Sequence, residues 1–221
     1  DLIDWQKTLI EHGYAARTIP REYGGYGAEP DLLKTIIIAE EFQAARVSSG
    51  MMNQGISMFV PTLLQYGSET QRRAWVPPTI RGDMMWCQGY SEPGAGSDLA
   101  AVATRAELDG DEYVVNGQKV WTSYAQYADM CILLARTSSV GAKHHGLTLM
   151  IVDMRSSGIE VRPLRQMNGD SEFNEVYFTD VRVPRDALLG PMNEGWRVAM
   201  TTLAHERGTV ANLHLGLRKK I

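Results

Sequence analysis

The chain is 221 residues long, with 44% hydrophobic and 22% charged residues and a formal net charge of −4. This length accommodates one large domain or two small ones, each with a core of its own. The mild acidic excess and the lack of a basic tract argue against a nucleic-acid-binding surface, and no apolar run reaches the roughly 18 residues that a membrane span requires.

The first region, residues 1–85, has the periodicity of helices. Apolar residues recur at helical spacing over 2–10, and again from Asp31 to Phe42, which predicts two amphipathic helices. The glycine-rich stretch 21–27 between them is predicted to be an ordered loop. We therefore assign residues 1–85 to an N-terminal all-α domain.

A third helix of this region has a recognisable start. Ser68 and Gln71 have the spacing of a capping box, in which each side chain bonds the backbone N–H of the other residue. Because proline removes a backbone donor and restricts the residue before it, this helix is predicted to end near Pro77 and Pro78.

The second region, residues 86–190, has the pattern of strands. Asn116-Gly117 stands between two short apolar runs and predicts a hairpin turn. The continuous apolar run 147–152 is long enough for a strand buried on both faces. Two further strands are predicted at 161–164 and 175–183, and short strands at this spacing indicate an antiparallel β-barrel or sandwich.

The third region, residues 191–221, is one helical pattern from Asn193 onward. Such a helix needs neighbours to bury its apolar face: either it packs back on the first region, or it begins a helical bundle whose remainder is missing. Its apolar stripe consists of Trp196, Met200, Leu203, Val210 and Leu217. The expected fold is thus α+β and multidomain, with an N-terminal all-α domain (1–85), a middle antiparallel β-barrel or sandwich (86–190) and a C-terminal helix in residues 191–221.

Residues 86–98 are the most informative stretch, with the sequence Trp-Cys-Gln-Gly-Tyr-Ser-Glu-Pro-Gly-Ala-Gly-Ser-Asp. Ser91 and Ser97 provide small hydroxyl groups among proline and glycines, so the backbone can turn sharply and lie against a flat or phosphorylated ligand. In isolation, such hydroxyls more often bond their own turn. A second stretch, Gln-Lys-Val-Trp-Thr-Ser, follows at 118–123.

Together the two stretches resemble the flavin-binding and substrate-binding signatures of the acyl-CoA dehydrogenase family. Two more segments are similar to the family in the same order, Pro-Arg-Glu-Tyr-Gly-Gly at 20–25 and Glu-Phe-Asn-Glu-Val at 172–176. Asp98 is similar to the dehydrogenases rather than to the related acyl-CoA oxidases. The resemblance covers essentially the whole chain and implies a helical domain, a strand domain and the start of a second helical domain. It therefore favours the alternative in which residues 191–221 begin a truncated C-terminal helical bundle.

The resemblance also implies FAD as the cofactor. Tyr90 and Ser91 would bond the pyrimidine edge of the flavin, Trp121 would lie beside the ring system, and Ser123 would reach towards N5. Without the resemblance, Trp121 would be interpreted as a strand residue that fills the core. The full set of residues assigned to the cofactor is Gln88, Tyr90, Ser91, Gly96, Ser97, Trp121, Thr122 and Ser123.

One carboxylate is a candidate catalytic base. Glu206 lies on the apolar stripe of the last helix, where an ionised group is expected to be paired, at an edge, or functional. Isovaleryl-CoA and long-chain dehydrogenases carry their catalytic glutamate at this place, whereas most family members carry it in the final domain. By resemblance, Arg207 and Ser97 are expected to contact the CoA substrate. The alternative is that Glu206 only pairs with an arginine.

The implied reaction removes two hydrogens from the α and β carbons of an acyl-CoA thioester, which gives a trans-2-enoyl-CoA, and the electrons pass to an electron-transferring flavoprotein. By the same resemblance, the full-length protein is expected to be a homotetramer in a bacterial cytoplasm or a mitochondrial matrix. Two alternatives stay open: a non-catalytic or truncated homologue that acts as an assembly partner, and an acyl-CoA oxidase-like flavoenzyme.

The remaining polar clusters and the cysteines indicate no metal site. Glu40-Glu41 is expected on a solvated helix face and His144-His145 at a solvated hairpin tip, because neither pair has further ligands at metal-binding spacing. Cys87 and Cys131 lie far apart and outside any CxxC pair, so reduced thiols are expected rather than a disulfide.

Overall fold

The computed structural model describes the backbone of residues 1–218 and the side chains of residues 1–207. The helices of this part are α1 (Leu2–Glu11), α2 (Leu32–Ala45), α3 (Val60–Tyr66), α4 (Glu69–Arg81) and α5 (Gly195–Arg218). The strands are β1 (Trp86–Gly89), β2 (Arg105–Asp109), β3 (Glu112–Ser123), β4 (Met130–Arg136), β5 (Leu147–Asp153), β6 (Ile159–Leu164) and β7 (Phe173–Pro184). This order of a helical part, a sheet and a further helix confirms the predicted fold class.

Helix α4 begins where the sequence predicts and ends later. Ser68 Oγ accepts the Gln71 N–H at 3.2 Å, and Gln71 Oε1 accepts the Ser68 N–H at 2.9 Å, so the capping box is formed. The predicted end near Pro77 and Pro78 is wrong, because the helix continues through both prolines to Arg81.

Tertiary contacts hold the last turn of α4 in spite of the two missing backbone donors. Val76 and Ile80 are fully buried, which stabilises this turn through the hydrophobic effect. Gln6 of α1 donates from Nε2 to Ile80 O at 2.8 Å, and Thr79 Oγ1 donates to Trp75 O at 2.6 Å. Packing and side-chain hydrogen bonds therefore override the local helix-breaking signal.

Helices α1 and α2 lie where the first region predicts two helices, and α1 has the predicted buried apolar face. Helix α2 nevertheless buries none of its residues within the described chain, and its contact with Tyr14 is an edge-on ring packing with Phe42 at 5.5 Å. Its exposed apolar side chains are Leu32, Leu33, Ile36 and Ile37.

The seven strands form one sheet with the order β1-β4-β2-β3-β7-β6, and β5 pairs with β4. The pairings are antiparallel except for β1 with β4 and β2 with β4, which are parallel. Because β5 pairs with β4 along its whole length, β1 and β2 share the opposite edge of β4. The expected β domain is therefore present, with two parallel pairings in a mainly antiparallel sheet.

The predicted hairpin at Asn116-Gly117 is wrong. Both residues lie inside β3, and the turn between β2 and β3 falls at Gly110, where φ is 64°. The dipeptide instead faces a bulge in β7, where Asp180 is an extra residue with φ of 51° and donates its N–H to Asn116 Oδ1 at 2.9 Å. A Cβ at Gly117 would lie 2.7 Å from Thr104 Cα, so close approach requires glycine there.

The core lies on both faces of the sheet. All residues of the run 147–152 are buried, which confirms the predicted strand buried on both faces. One face packs against the helices and the first turns of α5, where Val198 and Ala199 are fully buried. The hydroxyl groups of Thr62 and Thr202 lie 3.1 Å apart, so these turns pack on the first region, as the first alternative for this helix proposes.

The two cysteines are free thiols and both are buried. Cys87 and Cys131 are partners in the register of β1 and β4, so residues that are distant in sequence lie side by side in the sheet.

We expect Gly117→Ala to lower the free energy of unfolding by about 2 kcal/mol, because overpacking against a backbone atom forces a shift of β2 or β3. Urea unfolding curves with a shared slope measure this change. Gly94→Ala is the control, since a Cβ at Gly94 meets no atom within 4 Å and its φ is not positive. Equal stabilities for the two variants would contradict the close-approach argument.

Candidate functional site

The two stretches that the sequence singles out lie side by side. The N–H of Val120 donates to Ser91 O at 2.9 Å, and Lys119 Nζ donates to Tyr90 O at 3.0 Å. The first stretch leaves the sheet at the end of β1, and the second is the last part of β3. The predicted cofactor-contacting positions Tyr90, which is buried, and Ser91 therefore lie next to the strand segment that carries Trp121.

A β-bulge directs Trp121 outward. The register with β7 passes from Lys119 opposite Val176 to Thr122 opposite Asn174, so β3 has one extra residue here. Trp121 has φ of 60°, a left-handed conformation that is unusual for a bulky residue, and its side chain is 62% exposed. The interpretation of Trp121 as a core-filling residue is thus wrong.

The bulge also changes which residues face inward. Before it, Tyr113, Val115 and Lys119 are buried, and after it Thr122 is buried. The alternation therefore moves from odd to even positions at Trp121, which turns the end of β3 over relative to its beginning.

Three buried polar atoms in these stretches have no hydrogen-bond partner within the described chain. They are Gln88 Nε2, Tyr90 Oη and Thr122 Oγ1. An unsatisfied buried donor or acceptor costs about 1–3 kcal/mol, so such a concentration of them points to a polar ligand. Ser91 and Ser123 are half-buried beside them, whereas Gly96 and Ser97 lie exposed further along the loop.

Glycine leaves room over this loop. A Cβ built at Gly94 or Gly96 meets no atom within 4 Å, so the backbone here is open to approach by another molecule. Beyond Ser97, the Asp98 carboxylate accepts two hydrogen bonds from Lys143 Nζ at 2.7 and 2.8 Å.

A buried ion pair joins the two stretches, and the sequence analysis did not predict it. Lys119 is fully buried, and its Nζ donates to Glu92 Oε1 at 2.8 Å, to Leu134 O at 2.7 Å and to Tyr90 O. Glu92 is buried as well. The strand alternation carried the missed signal, because it puts Lys119 on the same inward face as Tyr113.

The two charges affect each other's titration. Burial lowers the pKa of Lys119 to about 8, and the charge of Glu92 opposes this fall. Burial by itself raises the pKa of Glu92, but the Lys119 charge and hydrogen bond, with further hydrogen bonds from Thr104 and Ala103, outweigh burial and keep that pKa below its usual value. The pair is therefore ionised at neutral pH.

The candidate base Glu206 lies half-buried on α5, and Arg207 beside it is exposed. Burial raises the pKa of Tyr90. Tyr90 lies in the same buried cluster as Val198 and Ala199 of α5, so the loop after β1 packs beside the helix that carries Glu206.

The alternative for Glu206, a simple ion pair with an arginine, stays a prediction: no such pair is present among residues 1–207, and the side chain of Arg218 lies outside the described residues. The stripe positions Val210 and Leu217 lie outside the described side chains.

The loop before β5 also adjoins α5. The rings of His144 and Trp196 pack edge-on, with centroids 4.7 Å apart. Across the described residues, no three histidine, cysteine or carboxylate side chains are grouped as metal ligands would be. The helices described here include none whose length and hydropathy suit a membrane crossing.

Comparisons with known proteins match both parts of the chain. The model of the acyl-CoA dehydrogenase N-terminal domain matches residues 3–83, and the model of the middle domain matches residues 87–181. The chain is 43% identical to acyl-CoA dehydrogenase IpdE1 of Mycobacterium tuberculosis, over 92% of this chain and 52% of that protein. It is 34% identical to the mitochondrial short-chain specific acyl-CoA dehydrogenase of Homo sapiens, over 93% of this chain and 50% of that protein.

Among solved structures, the chain is similar to the Tcur3481-Tcur3483 steroid ACAD, with a TM-score of 0.79 and 35% sequence identity over 93% of this chain and 52% of that chain. The chain therefore spans about half the length of the curated relatives that it matches.

We expect Glu92→Gln to lower the free energy of unfolding by roughly 3 kcal/mol at about pH 7, because it leaves the buried Lys119 ammonium without its counter-charge. The native pKa of Glu92 lies below its usual value, so its ionisation stabilises the fold fully above about pH 4.5 and this contribution disappears as the pH falls through the native pKa. The difference between wild type and variant should therefore narrow in acid, which urea unfolding at several pH values measures.

Glu160→Gln is the matched control for this pH series. Its partner Arg162 lies at 2.8 Å, but both side chains are exposed to solvent, so removal of the charge should change the free energy of unfolding far less than Glu92→Gln does at about pH 7. The prediction would be contradicted if the difference in unfolding free energy between wild type and Glu92→Gln stayed constant as the pH falls to the acid transition. Glu92 would then not have a native pKa below the usual range.

We expect Trp121→Gly to be more stable than Trp121→Ala by about 1 kcal/mol, because only glycine adopts a φ of 60° without strain. Both variants remove the indole ring, so the comparison isolates the backbone. Chemical unfolding of the two proteins measures the difference. An alanine variant as stable as the glycine variant would show that the bulge relaxes and stores no strain.

Proposed function

The chain belongs to the acyl-CoA dehydrogenase family, and we propose that the protein which carries it is an FAD-dependent acyl-CoA dehydrogenase. The proposed reaction converts an acyl-CoA thioester into the trans-2-enoyl-CoA. The observation that carries this proposal is the contact between the loop after β1 and the end of β3, with three unsatisfied buried polar atoms in these two stretches.

The residues present fit a flavin. The ring system of a flavin offers hydrogen-bond donors and acceptors at one edge and a flat aromatic surface, which suits unpartnered polar atoms next to an exposed indole. When bound, FAD supplies a two-electron acceptor for the hydride that leaves the β carbon. The residues that would hold it are Gln88, Tyr90, Ser91, Gly96, Ser97, Trp121, Thr122 and Ser123.

Glu206 is the proposed base. The α-proton of a thioester is weakly acidic, so a carboxylate must take it up while the acyl chain is held in a fixed orientation. Glu206 would receive this proton on a carboxylate oxygen, and the half-buried position of its side chain limits competition from water. Tyr90 lies in the same buried cluster as Val198 and Ala199 of α5, which supports a location of this helix beside the proposed flavin site.

Substrate and partner contacts complete the proposal. Ser97 and Arg207 would contact the CoA portion of the substrate, and both are exposed. Electrons would pass to an electron-transferring flavoprotein, and the full-length protein would be a homotetramer of a bacterial cytoplasm or a mitochondrial matrix. We retain the proposed domains 1–85, 86–190 and 191–221, the last continuing into a helical bundle.

For the acyl group of the substrate, we propose chemical classes to test. Similarity to a steroid ACAD and to a short-chain specific dehydrogenase supports a substrate panel that includes both bulky steroid-derived and short straight-chain acyl-CoA thioesters.

The decisive variant is Glu206→Gln in the full-length protein. It should retain FAD, with the visible absorbance of a flavoprotein, but should bleach at least about 100-fold more slowly than wild type when acyl-CoA is added without oxygen, because it lacks the base. Stopped-flow absorbance measures the rate. Glu194→Gln is the control, since Glu194 is exposed beside α5 and pairs with Arg197.

Other outcomes contradict specific parts of the proposal. Bleaching of Glu206→Gln at the wild-type rate would place the base elsewhere. Rapid peroxide formation with substrate in air would identify an oxidase-like enzyme. A protein that stays colourless with added FAD but associates stably with a full-length homologue would be an assembly partner instead.

A further inference from the structure

The sheet is split where the candidate site begins. Strand β1 pairs with β4 as far as Gly89 opposite Leu133, and β2 pairs with the same edge of β4 at Arg105 opposite Arg136. The chain between them, residues 90–104, leaves the sheet and returns to it. The edge of β4 at Leu134 consequently has no strand beside it.

The buried ion pair fills this split. Lys119 Nζ donates to Leu134 O at 2.7 Å, which supplies the hydrogen bond that a strand would otherwise provide, and to Tyr90 O at 3.0 Å, where the chain departs. Glu92 accepts the N–H of Ala103 at 2.7 Å and the N–H of Thr104 at 2.9 Å, where the chain returns. The Lys119–Glu92 contact at 2.8 Å joins the two ends.

We infer that Lys119 and Glu92 are positioning residues that clamp together the two ends of the 90–104 loop. They thereby set the orientation of the Tyr90–Ser91 peptide at the candidate site. Fixing Tyr90 O fixes the plane of the peptide that follows, and so the direction of the Ser91 N–H. The consequence for the cofactor rests on the proposed function, whereas the clamp itself does not.

Hydrogen-bond chemistry makes an ion pair suitable for this place. The split contains two carbonyl groups that need donors and two N–H groups that need acceptors. An ammonium supplies donors alone and a carboxylate supplies acceptors alone, so together they satisfy both sets. Apolar side chains of the same volume would leave all of these backbone groups unpaired.

A purely stabilising role is the competing explanation, and a paired variant separates the two. Lys119→Met alone leaves an unpaired buried carboxylate and is expected to unfold easily. The double variant Lys119→Met with Glu92→Gln removes both charges, and the single glutamine oxygen still accepts one of the two N–H groups of Ala103 and Thr104. We expect the melting temperature of the double variant to lie closer to that of wild type than the melting temperature of Lys119→Met does.

The first measurement is amide hydrogen exchange in the full-length protein without added FAD. Peptides that cover residues 90–98 should exchange about tenfold faster in the double variant than in wild type, because their anchor to β4 is lost. Arg182→Met is the control: Arg182 forms an exposed ion pair with Asp109 and should leave exchange at 90–98 unchanged.

The second measurement is FAD affinity, from quenching of flavin fluorescence on titration. The double variant should bind FAD about tenfold more weakly than wild type, and the control should bind it equally. A folded double variant with wild-type exchange at 90–98 would overturn the clamp. Faster exchange with wild-type FAD affinity would overturn its link to the cofactor.

The two measurements also separate this inference from the proposed function. If the wild-type protein binds no FAD, the proposed function fails, while hydrogen exchange still decides whether Lys119 and Glu92 hold the loop.

Discussion

The contact between Lys119 Nζ and Glu92 Oε1 at 2.8 Å is the constraint on which the candidate site depends. Transfer of two charges from water to a protein interior is expensive, and such a pair is tolerable only when further hydrogen bonds complete the geometry. Here those bonds go to a backbone carbonyl of strand β4 and to backbone groups at both ends of the 90–104 loop. The energy that keeps the charges buried is therefore the same energy that fixes where the loop leaves and re-enters the sheet.

Around this ion pair, several polar atoms of the candidate site lack hydrogen-bond partners among the described residues. Trp121 is exposed in a left-handed conformation, and Gln88 and Thr122 each hold a buried polar atom without a partner in the described chain. Each feature costs of order 1–3 kcal/mol by itself. Strain and unpaired polar atoms that cluster next to a well-satisfied ion pair are characteristic of a surface organised for a ligand, because the ligand supplies the missing contacts.

Local patterns predicted the parts of the fold that local physics decides. The capping box of Ser68 and Gln71 and the buried strand at 147–152 depend on neighbouring residues, and both are confirmed. The prolines of α4 led to a wrong prediction of the helix end, because burial of Val76 and Ile80 stabilises the last turn in spite of the missing donors. The hairpin predicted at Asn116-Gly117 is wrong because the same dipeptide suits both a hairpin turn and a strand position opposite a bulge. Only the partner strand β7 decides between the two.

The candidate site shows the same division between local and long-range information. The sequence placed Tyr90, Ser91 and Trp121 in recognisable stretches, and the structure brings those stretches into contact. The sequence did not reveal Lys119, because a lysine in a strand is normally a surface residue and its burial depends on Glu92, 27 positions away.

Contacts at the start of α5 determine where the candidate base Glu206 lies, although Glu206 follows about three turns later. Asn193 donates its N–H to Thr148 Oγ1 at 2.9 Å, and a Cβ at Gly195 would lie 2.6 Å from the backbone of β5, so the first turn is held against that strand. Thr202 and Glu206 follow about two and three turns later, which returns both to the side of the helix that faces the sheet. The burial of Thr202 agrees with this geometry. Because β5 is paired with β4, whose Leu134 carbonyl also binds Lys119, the helix with the candidate base and the loop with Tyr90 are positioned by one pair of strands.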